Sequence, residues 1–325
     1  MKLFNSLEEI TNIDNAIIAL GNFDGVHKGH QELISRAVKS AEGANLKSAI
    51  FTFSNHPRNV LGNGGGDCNG NDNGNGNGNG NVVKSILYAD EKVEIIKSLG
   101  IDYMFNIPFD SYIQHISPVD FIDEILLKKL KMQEAFCGFD FKFGYKASGD
   151  ASVLMRESIK NQFGIHVLEP VKIDGIVVSS TLIREFVERG SVDKCMKFMG
   201  RYYAVGGEVV VGNKLGSKIG FPTSNILVDD SMVSPANGVY ITYCTYNGKK
   251  YPSVTNVGVK PTVGEYQKNM ETHIFNFDKE LYGKTIRVEF IKKMRDEIKF
   301  ENMEELAKQI TKDCVMAKDY HRKNV

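Results

Sequence analysis

The strongest constraint on the fold lies between residues 16 and 53. A short apolar run, Ala16–Leu20, ends at Gly21. A helical pattern with Leu33, Ile34, Ala37 and Val38 on one stripe then runs from His30 to Ala41, and a second β-rich run, Ser48–Phe53, follows. Strand, tight loop, helix, strand is a βαβ unit, which makes the two strands parallel and needs helices to cover the sheet. The alternation continues with helices expected at Glu91–Leu99, Ser117–Leu130 and Ser152–Phe163. Strands are expected at Tyr103–Ile107, Glu134–Cys137 and Ile165–Val171. Ser117 is placed to cap its helix, with Pro118 in the first turn. The first half therefore reads as an α/β domain with an open, doubly wound parallel sheet.

After about Arg201 the pattern changes. Gly207–Val211, Gly238–Thr245, Tyr251–Val257, Glu271–Phe277 and Thr285–Lys292 read as short strands, and Asn247-Gly248 between two of them is a type I′ hairpin signal. This pattern predicts a small antiparallel β-barrel, closed by an amphipathic helix over Met303–Tyr320. A chain of 325 residues accommodates two domains. We expect them at 1–187 and 188–325, with the junction in the helical-looking stretch Glu188–Tyr202.

Residues 62–81 stand apart, with 9 Gly and 8 Asn among them. Such a tract has nothing to bury and much backbone entropy to lose, so a disordered loop is expected. Lys+Arg and Asp+Glu are both 40, and this zero balance gives no electrostatic footprint for nucleic acid or an anionic membrane. No apolar run approaches the ~18 residues of a membrane span. The N-terminus carries no secretory h-region, and the five cysteines form no CxxC pair, so a reduced, cytoplasmic protein without zinc or disulfides is expected.

The loop Gly21-Asn22-Phe23-Asp24-Gly25-Val26-His27-Lys28-Gly29-His30 joins the first strand to the first helix. Ligands of open parallel sheets bind at the carboxyl ends of the strands. Glycines let backbone N–H groups approach a phosphate, and the helix N-terminus adds a positive dipole end. His27 and His30 are spaced to face one ligand there. Either histidine could equally be a plain helix cap. Paired metal ligation lacks a third ligand at suitable spacing.

In full, this string resembles the prokaryotic bifunctional riboflavin kinase/FMN adenylyltransferase (FAD synthetase) family, within the nucleotidylyltransferase superfamily. Phe51-Thr52-Phe53 with His56-Pro57-Arg58, the segment Gly138–Gly144, and Ser179–Arg184 resemble further motifs of that family in order. The resemblance implies a Rossmann-like adenylyltransferase domain followed by a riboflavin kinase barrel. It implies attack of an FMN phosphate oxygen on the α-phosphorus of ATP, releasing pyrophosphate and forming FAD. His27 and His30 would grip phosphates, and Asn22 and Asp24 would position the nucleotide or magnesium. Gly21, Phe23, Gly25 and Gly29 would complete the nucleotide loop. Ser180 and Thr181 would cap a helix that holds triphosphate, with Arg184 one turn on. Asp140, Phe141 and Phe143 would contact flavin. Phe139, Phe141 and Phe143 alternate, so in a strand they would share one face.

The second half carries Gly212 to Asn225, with glycines recurring beside lysines, which suits a flap over phosphates as well as an ordinary hairpin loop. Gly220-Phe221-Pro222-Thr223-Ser224-Asn225 resembles the riboflavin kinase PTAN motif, with Ser224 in place of its alanine. The resemblance implies that Thr223 and Asn225 bind Mg2+ and ATP phosphates, with Gly216, Lys218, Gly220 and Pro222 around the nucleotide. It also implies that Glu271 is the catalytic base for riboflavin phosphorylation and that Arg295 lies near the flavin. Riboflavin, FMN, FAD, ATP, ADP and pyrophosphate are then the expected small-molecule partners.

Overall fold

The computed structural model describes residues 1–61, 82–212, 216, 219–262 and 265–324. The Gly/Asn tract at 62–81 and Lys218 lie outside the described residues. The contacts divide the chain into Met1–Ser179 and Ser180–Val325.

The first unit is built on strands β1 (Lys2–Phe4), β2 (Ala16–Leu20), β3 (Lys47–Phe53), β4 (Tyr103–Ile107) and β5 (Met132–Gly138). A hairpin of β6 (Lys142–Phe143) and β7 (Gly149–Asp150) follows, then β8 (Gly164–Leu168) and a second hairpin, β9 (Lys172–Ile173) with β10 (Ile176–Val177). Six of these strands form a sheet in the order β1-β4-β3-β2-β5-β8, with every pair parallel. Its helices are α1 (Lys28–Ala44), α2 (Pro57–Leu61), α3 (Ala89–Ser98), α4 (Ser111–His115), the short α5 (Pro118–Asp120) and α6 (Ala151–Asn161). The helix expected at Ser117–Leu130 begins as read, with the Ser117 side chain accepting from the Asp120 N–H, and then widens into π-helical winding over Phe121–Lys129.

β2 shows why the sheet is doubly covered, since all five of its residues are buried. Ile17 and Ala19 pack with Leu33, Ile34, Ala37 and Ala41 of α1, while Ile18 and Leu20 pack on the other face with Phe121, Ile125 and Leu154. Burying each Leu or Ile side chain contributes about 1.5–3 kcal/mol, so α1 is fixed mainly by this stripe. From β2 the chain winds outward through β3 and β4 on one side and through β5 and β8 on the other. The order therefore reverses between β2 and β5, and the loops leaving their carboxyl ends flank the crevice where such sheets bind ligands.

The flanks of the Gly/Asn tract are drawn together. The Asn59 side chain accepts from Val83 N–H at 2.7 Å and donates to Val83 O at 3.0 Å. Replacing 62–81 with a short Gly/Ser link shortens a loop that is already closed at its base. We expect stability to rise by about 1 kcal/mol, two halvings of loop length. Thermal melts of the two proteins check this, and a lower midpoint for the shortened chain would contradict it.

The second unit begins with α7 (Ser180–Glu188) and α8 (Asp193–Met199), the latter ending on Gly200 in the left-handed region. The helix expected around Glu188–Tyr202 is thus present as α8. The barrel consists of β11 (Tyr203–Val210), β12 (Ser224–Leu227), β13 (Gly238–Tyr246), β14 (Lys249–Thr262), β15 (Glu265–Ile274) and β16 (Thr285–Arg295). It closes in the order β11-β12-β15-β14-β13-β16, all antiparallel. Asn247 (φ 47) and Gly248 (φ 72) both take positive φ between β13 and β14, as a type I′ turn requires. Buried hydroxyls are satisfied in a chain: Thr242 meets Ser253 and Thr255 at 2.8 Å each, and Thr255 meets Thr272 at 2.9 Å.

The terminal helix α9 (Met303–Lys323) is capped by Asn302, and Cys314 and Ala317 pack it on Val239, Ile241, Val254 and Phe275. One ion pair pins it. Arg295 Nη2 and Nε donate to Asp313 at 2.7–3.2 Å, Gln309 adds a bond at 2.9 Å, and the Asp313 side chain is 5 % exposed. Asp313→Ala leaves an enclosed guanidinium unpaired. We expect a loss of about 3 kcal/mol, measurable as a lower denaturation midpoint of the full chain.

Candidate active sites

In the first unit, α1 starts where the loop after β2 folds back on itself. His27 is the N-cap: its Nδ1 accepts the His30 N–H at 3.2 Å, which leaves the neutral ring's proton on Nε2. The cap reading holds for His27. The His27 and His30 rings stack at 3.6 Å, and Phe23 meets His30 edge-on at 5.2 Å. His27 is buried, with 6 % of its surface exposed, and His30 is half-buried. A Cβ on Gly29 would lie 3.2 Å from the His27 ring, so only glycine lets that imidazole lie over the first helical turn without displacement. Gly21 begins the loop beside the Phe23 ring. Phe23, Gly25 and Val26 all take positive φ, which bends the backbone tightly before the helix. The Asp24 carboxylate accepts the Ile86 N–H at 3.1 Å and so ties the loop to the segment before α3.

Beside this loop, over the carboxyl ends of β2, β3 and β4, lies a solvent-open cleft lined in part by Asn22, Asp24, His56, Leu87, Lys92 and Asn106. Lys92 and Asn106 were not legible as site residues. Burial of the Lys92 ammonium pushes its pKa down to about 8, against the opposing pull of Asp24.

The expected flavin-contacting segment leaves β5 next to the switch point, but Phe139 parts from Phe141 and Phe143, which stay together. Phe139 is half exposed and Asp140 exposed at the turn. Phe141 stacks on Phe143 at 5.5 Å, and Phe143 is buried against Phe121. The physical reason is that β5 ends at Gly138 and the strand resumes only at Lys142, so the alternation is broken by a turn.

Ser180 opens α7, with Thr181 exposed beside it and Arg184 half-buried one turn on. Through its contacts this helix belongs to the second unit.

In the second unit, the Phe221 N–H bonds Gly216 O at 2.8 Å, closing a turn that leads through Gly220 into Pro222–Asn225. Half-buried Thr223 immediately precedes β12, and Asn225 lies on it, 5 % exposed. The register sets Asn225 directly opposite Glu271 on β15, and Glu271 opposite Asn256 on β14. Opposed residues share a face, so the amide and the carboxylate meet at the same place. Asn269, two residues before Glu271, donates from Nδ2 to Glu271 Oε1 at 3.3 Å and to Asn225 Oδ1 at 3.4 Å. His273, two residues after, donates from Nδ1 to Pro222 O at 2.8 Å and fixes the turn to the Glu271 strand. Period-two spacing about Glu271 was the signal that could have identified both. A Cβ on Gly212 would lie 2.4 Å from the Asn225 amide, so the chain beyond β11 passes Asn225 at a distance only glycine allows. Arg295 is committed to Asp313 and to the Asp296 carbonyl, which makes it a link between barrel and helix.

A parallel α/β unit with a phosphate-type loop at its switch point, followed by a closed barrel with a carboxylate opposite an amide, defines a two-domain nucleotide-dependent transferase. The chain matches the FAD synthetase family over residues 9–182 and the riboflavin kinase family over 199–321, and it belongs to the bifunctional riboflavin kinase/FMN adenylyltransferase family. It is 34% identical over 301 residues to the protein so described from Bacillus subtilis, covering 92% of this chain and 90% of that one. It is 31% identical to the counterpart from Buchnera aphidicola of Acyrthosiphon pisum, with 98% of each chain covered. A crystal structure described as a macrolide-efflux protein from Streptococcus pneumoniae superposes with a TM-score of 0.84 at 27% identity, covering 97% of this chain and 98% of that one. No helix among the described residues is long and apolar enough to cross a membrane.

Proposed function

We propose that the two reactions of the family are divided between the two sites described, with the residues of each acting as follows. The chain phosphorylates riboflavin to FMN with ATP and adenylylates FMN to FAD with release of pyrophosphate. The observation that carries the assignment is the register pairing of Asn225 with Glu271 in one unit and the stacked His27–His30 pair at a helix N-terminus in the other.

In the first site, adenylylation needs no nucleophilic side chain, because an FMN phosphate oxygen is itself the nucleophile. The work is alignment and neutralisation of charge on the phosphates. The His27 Nε2–H, His30 and the N-terminus of α1 supply donors where negative charge grows, and Asn22 and Asp24 bound the adjoining cleft. Asp140 and Phe141 follow the end of β5, across the switch point from β2, and would contact the flavin.

In the second site, Glu271 accepts the proton of the riboflavin primary hydroxyl as that oxygen attacks the terminal phosphorus of ATP. Asn269 holds the carboxylate by one oxygen, and His273 holds the Pro222–Asn225 turn against it. Thr223 and Asn225 present a hydroxyl and an amide oxygen, hard donors that suit Mg2+. Phosphate oxygens and water would complete the ion's shell. Magnesium bound there would neutralise phosphate charge. The described cysteines are all free thiols, which fits a reducing cytoplasm as the place of action.

Incubating the purified chain with riboflavin, ATP and Mg2+ and separating the products by chromatography tests the reading. FMN should appear first and FAD after it. Riboflavin left unchanged, or ATP consumed without either flavin product, would contradict it.

A further inference from the structure

Lys92 lies on α3, remote in sequence from the phosphate loop, yet its ammonium is where that loop is fastened. Nζ donates to Asn22 O at 2.8 Å, to Thr52 Oγ1 at 2.8 Å and to Phe53 O at 3.3 Å. The Thr52 hydroxyl, fully buried, itself donates to Asn22 O at 2.8 Å, which closes a triangle. An ammonium has three protons, and three acceptors take them here. Asn22 is the second residue of the loop, and Phe23 follows it at φ 50 with its ring against His30 at 5.2 Å. The path from Lys92 to the histidine is therefore short and physical: ammonium, Asn22 carbonyl, Phe23 ring, His30 ring.

Alternative roles fit less well. A lysine whose protons are all taken by protein oxygens has none to spare for a direct phosphate bond. A lysine serving packing alone would not need its charged end enclosed beside Asp24, at a desolvation cost that shows in its lowered pKa. We propose that Lys92 is a positioning residue of the adenylylation site, which holds the Asn22–Phe23 turn to the end of β3 so that His30 faces the phosphates. The proposal rests on the assignment of FMN adenylylation to the first unit.

The test uses the full chain and measures both reactions separately for wild type, Lys92→Met, Lys92→Arg, Thr52→Val and His30→Ala. A misplacement of about 1 Å costs ~10²-fold in rate, so Lys92→Met should lower kcat for FAD formation by about that factor. KM for ATP and for FMN should move less than about threefold, because no substrate contact is removed. Riboflavin phosphorylation should stay within about twofold of wild type, as expected for separate sites. Lys92→Arg keeps charge and donors and should recover about tenfold over Lys92→Met. Thr52→Val, close in shape, opens one side of the triangle and should lower the same kcat by about fivefold or more. That variant decides the matter if Lys92→Met does not fold.

A Lys92→Met enzyme with unchanged kcat, or with the whole loss in the KM of one substrate, would overturn the proposal. Failure of the site assignment is read separately: if His30→Ala leaves FAD formation intact, the assignment is wrong. If His30→Ala loses it while Lys92→Met and Thr52→Val do not, only the role of Lys92 is wrong.

Discussion

His30→Ala should lower FAD formation by about 10²–10³-fold, the loss typical of removing one preorganised donor from a developing oxyanion. FMN formation from riboflavin should be unchanged. His30 is the better target than His27, because the His27 Nδ1 also caps α1. Removing that cap costs about 1 kcal/mol of stability and would mix two effects. Half-buried His30 has its backbone N–H in the cap while its ring faces Phe23 and His27, so substitution leaves the cap in place. Separate assays of FMN and FAD production, with a thermal melt to show the fold is kept, check the result. Equal losses in both steps would contradict the division of labour.

Glu271→Gln should do the reverse, lowering riboflavin phosphorylation by about 10²–10⁴-fold while leaving FAD formation from supplied FMN intact. The change preserves shape and one acceptor oxygen, so the bond from Asn269 and the register with Asn225 can persist. What disappears is the proton acceptor. Measuring ADP release with riboflavin, and pyrophosphate release with FMN, separates the two steps in one preparation.

The parallel half was legible because its signals are local. β2 is apolar at every position since both faces of the sheet are covered, and the stripe of α1 repeats at helical spacing. The barrel was legible through turn chemistry, most clearly at Asn247-Gly248, where both residues need positive φ. β12 carries little strand signal in the sequence because it is four residues long and follows directly on the Pro222-Thr223 turn. β1, at three residues, offers too little pattern to read.

What the sequence could not disclose was where long polar side chains find partners. Arg295 pairs with Asp313, 18 residues later on a helix. Lys92 bonds a carbonyl 70 residues away. Phe139, Phe141 and Phe143 have the spacing of one strand face, but a turn intervenes and leaves Phe139 exposed while Phe141 and Phe143 pack together on the core. Such pairings follow from tertiary placement, and residue spacing carries no trace of them.

The most direct measurement mixes two defective proteins. Neither His30→Ala nor Glu271→Gln alone should convert riboflavin to FAD at more than about a hundredth of the wild-type rate, the first accumulating FMN and the second leaving most riboflavin unphosphorylated. Combined in one tube with riboflavin, ATP and Mg2+, they should make FAD, because FMN released by one barrel reaches the intact cleft of the other. If the mixture yields no FAD while each protein keeps its own remaining step, transfer of free FMN between the two pockets is excluded. If either protein alone yields FAD at the wild-type rate, the assignment of one reaction to each pocket is contradicted.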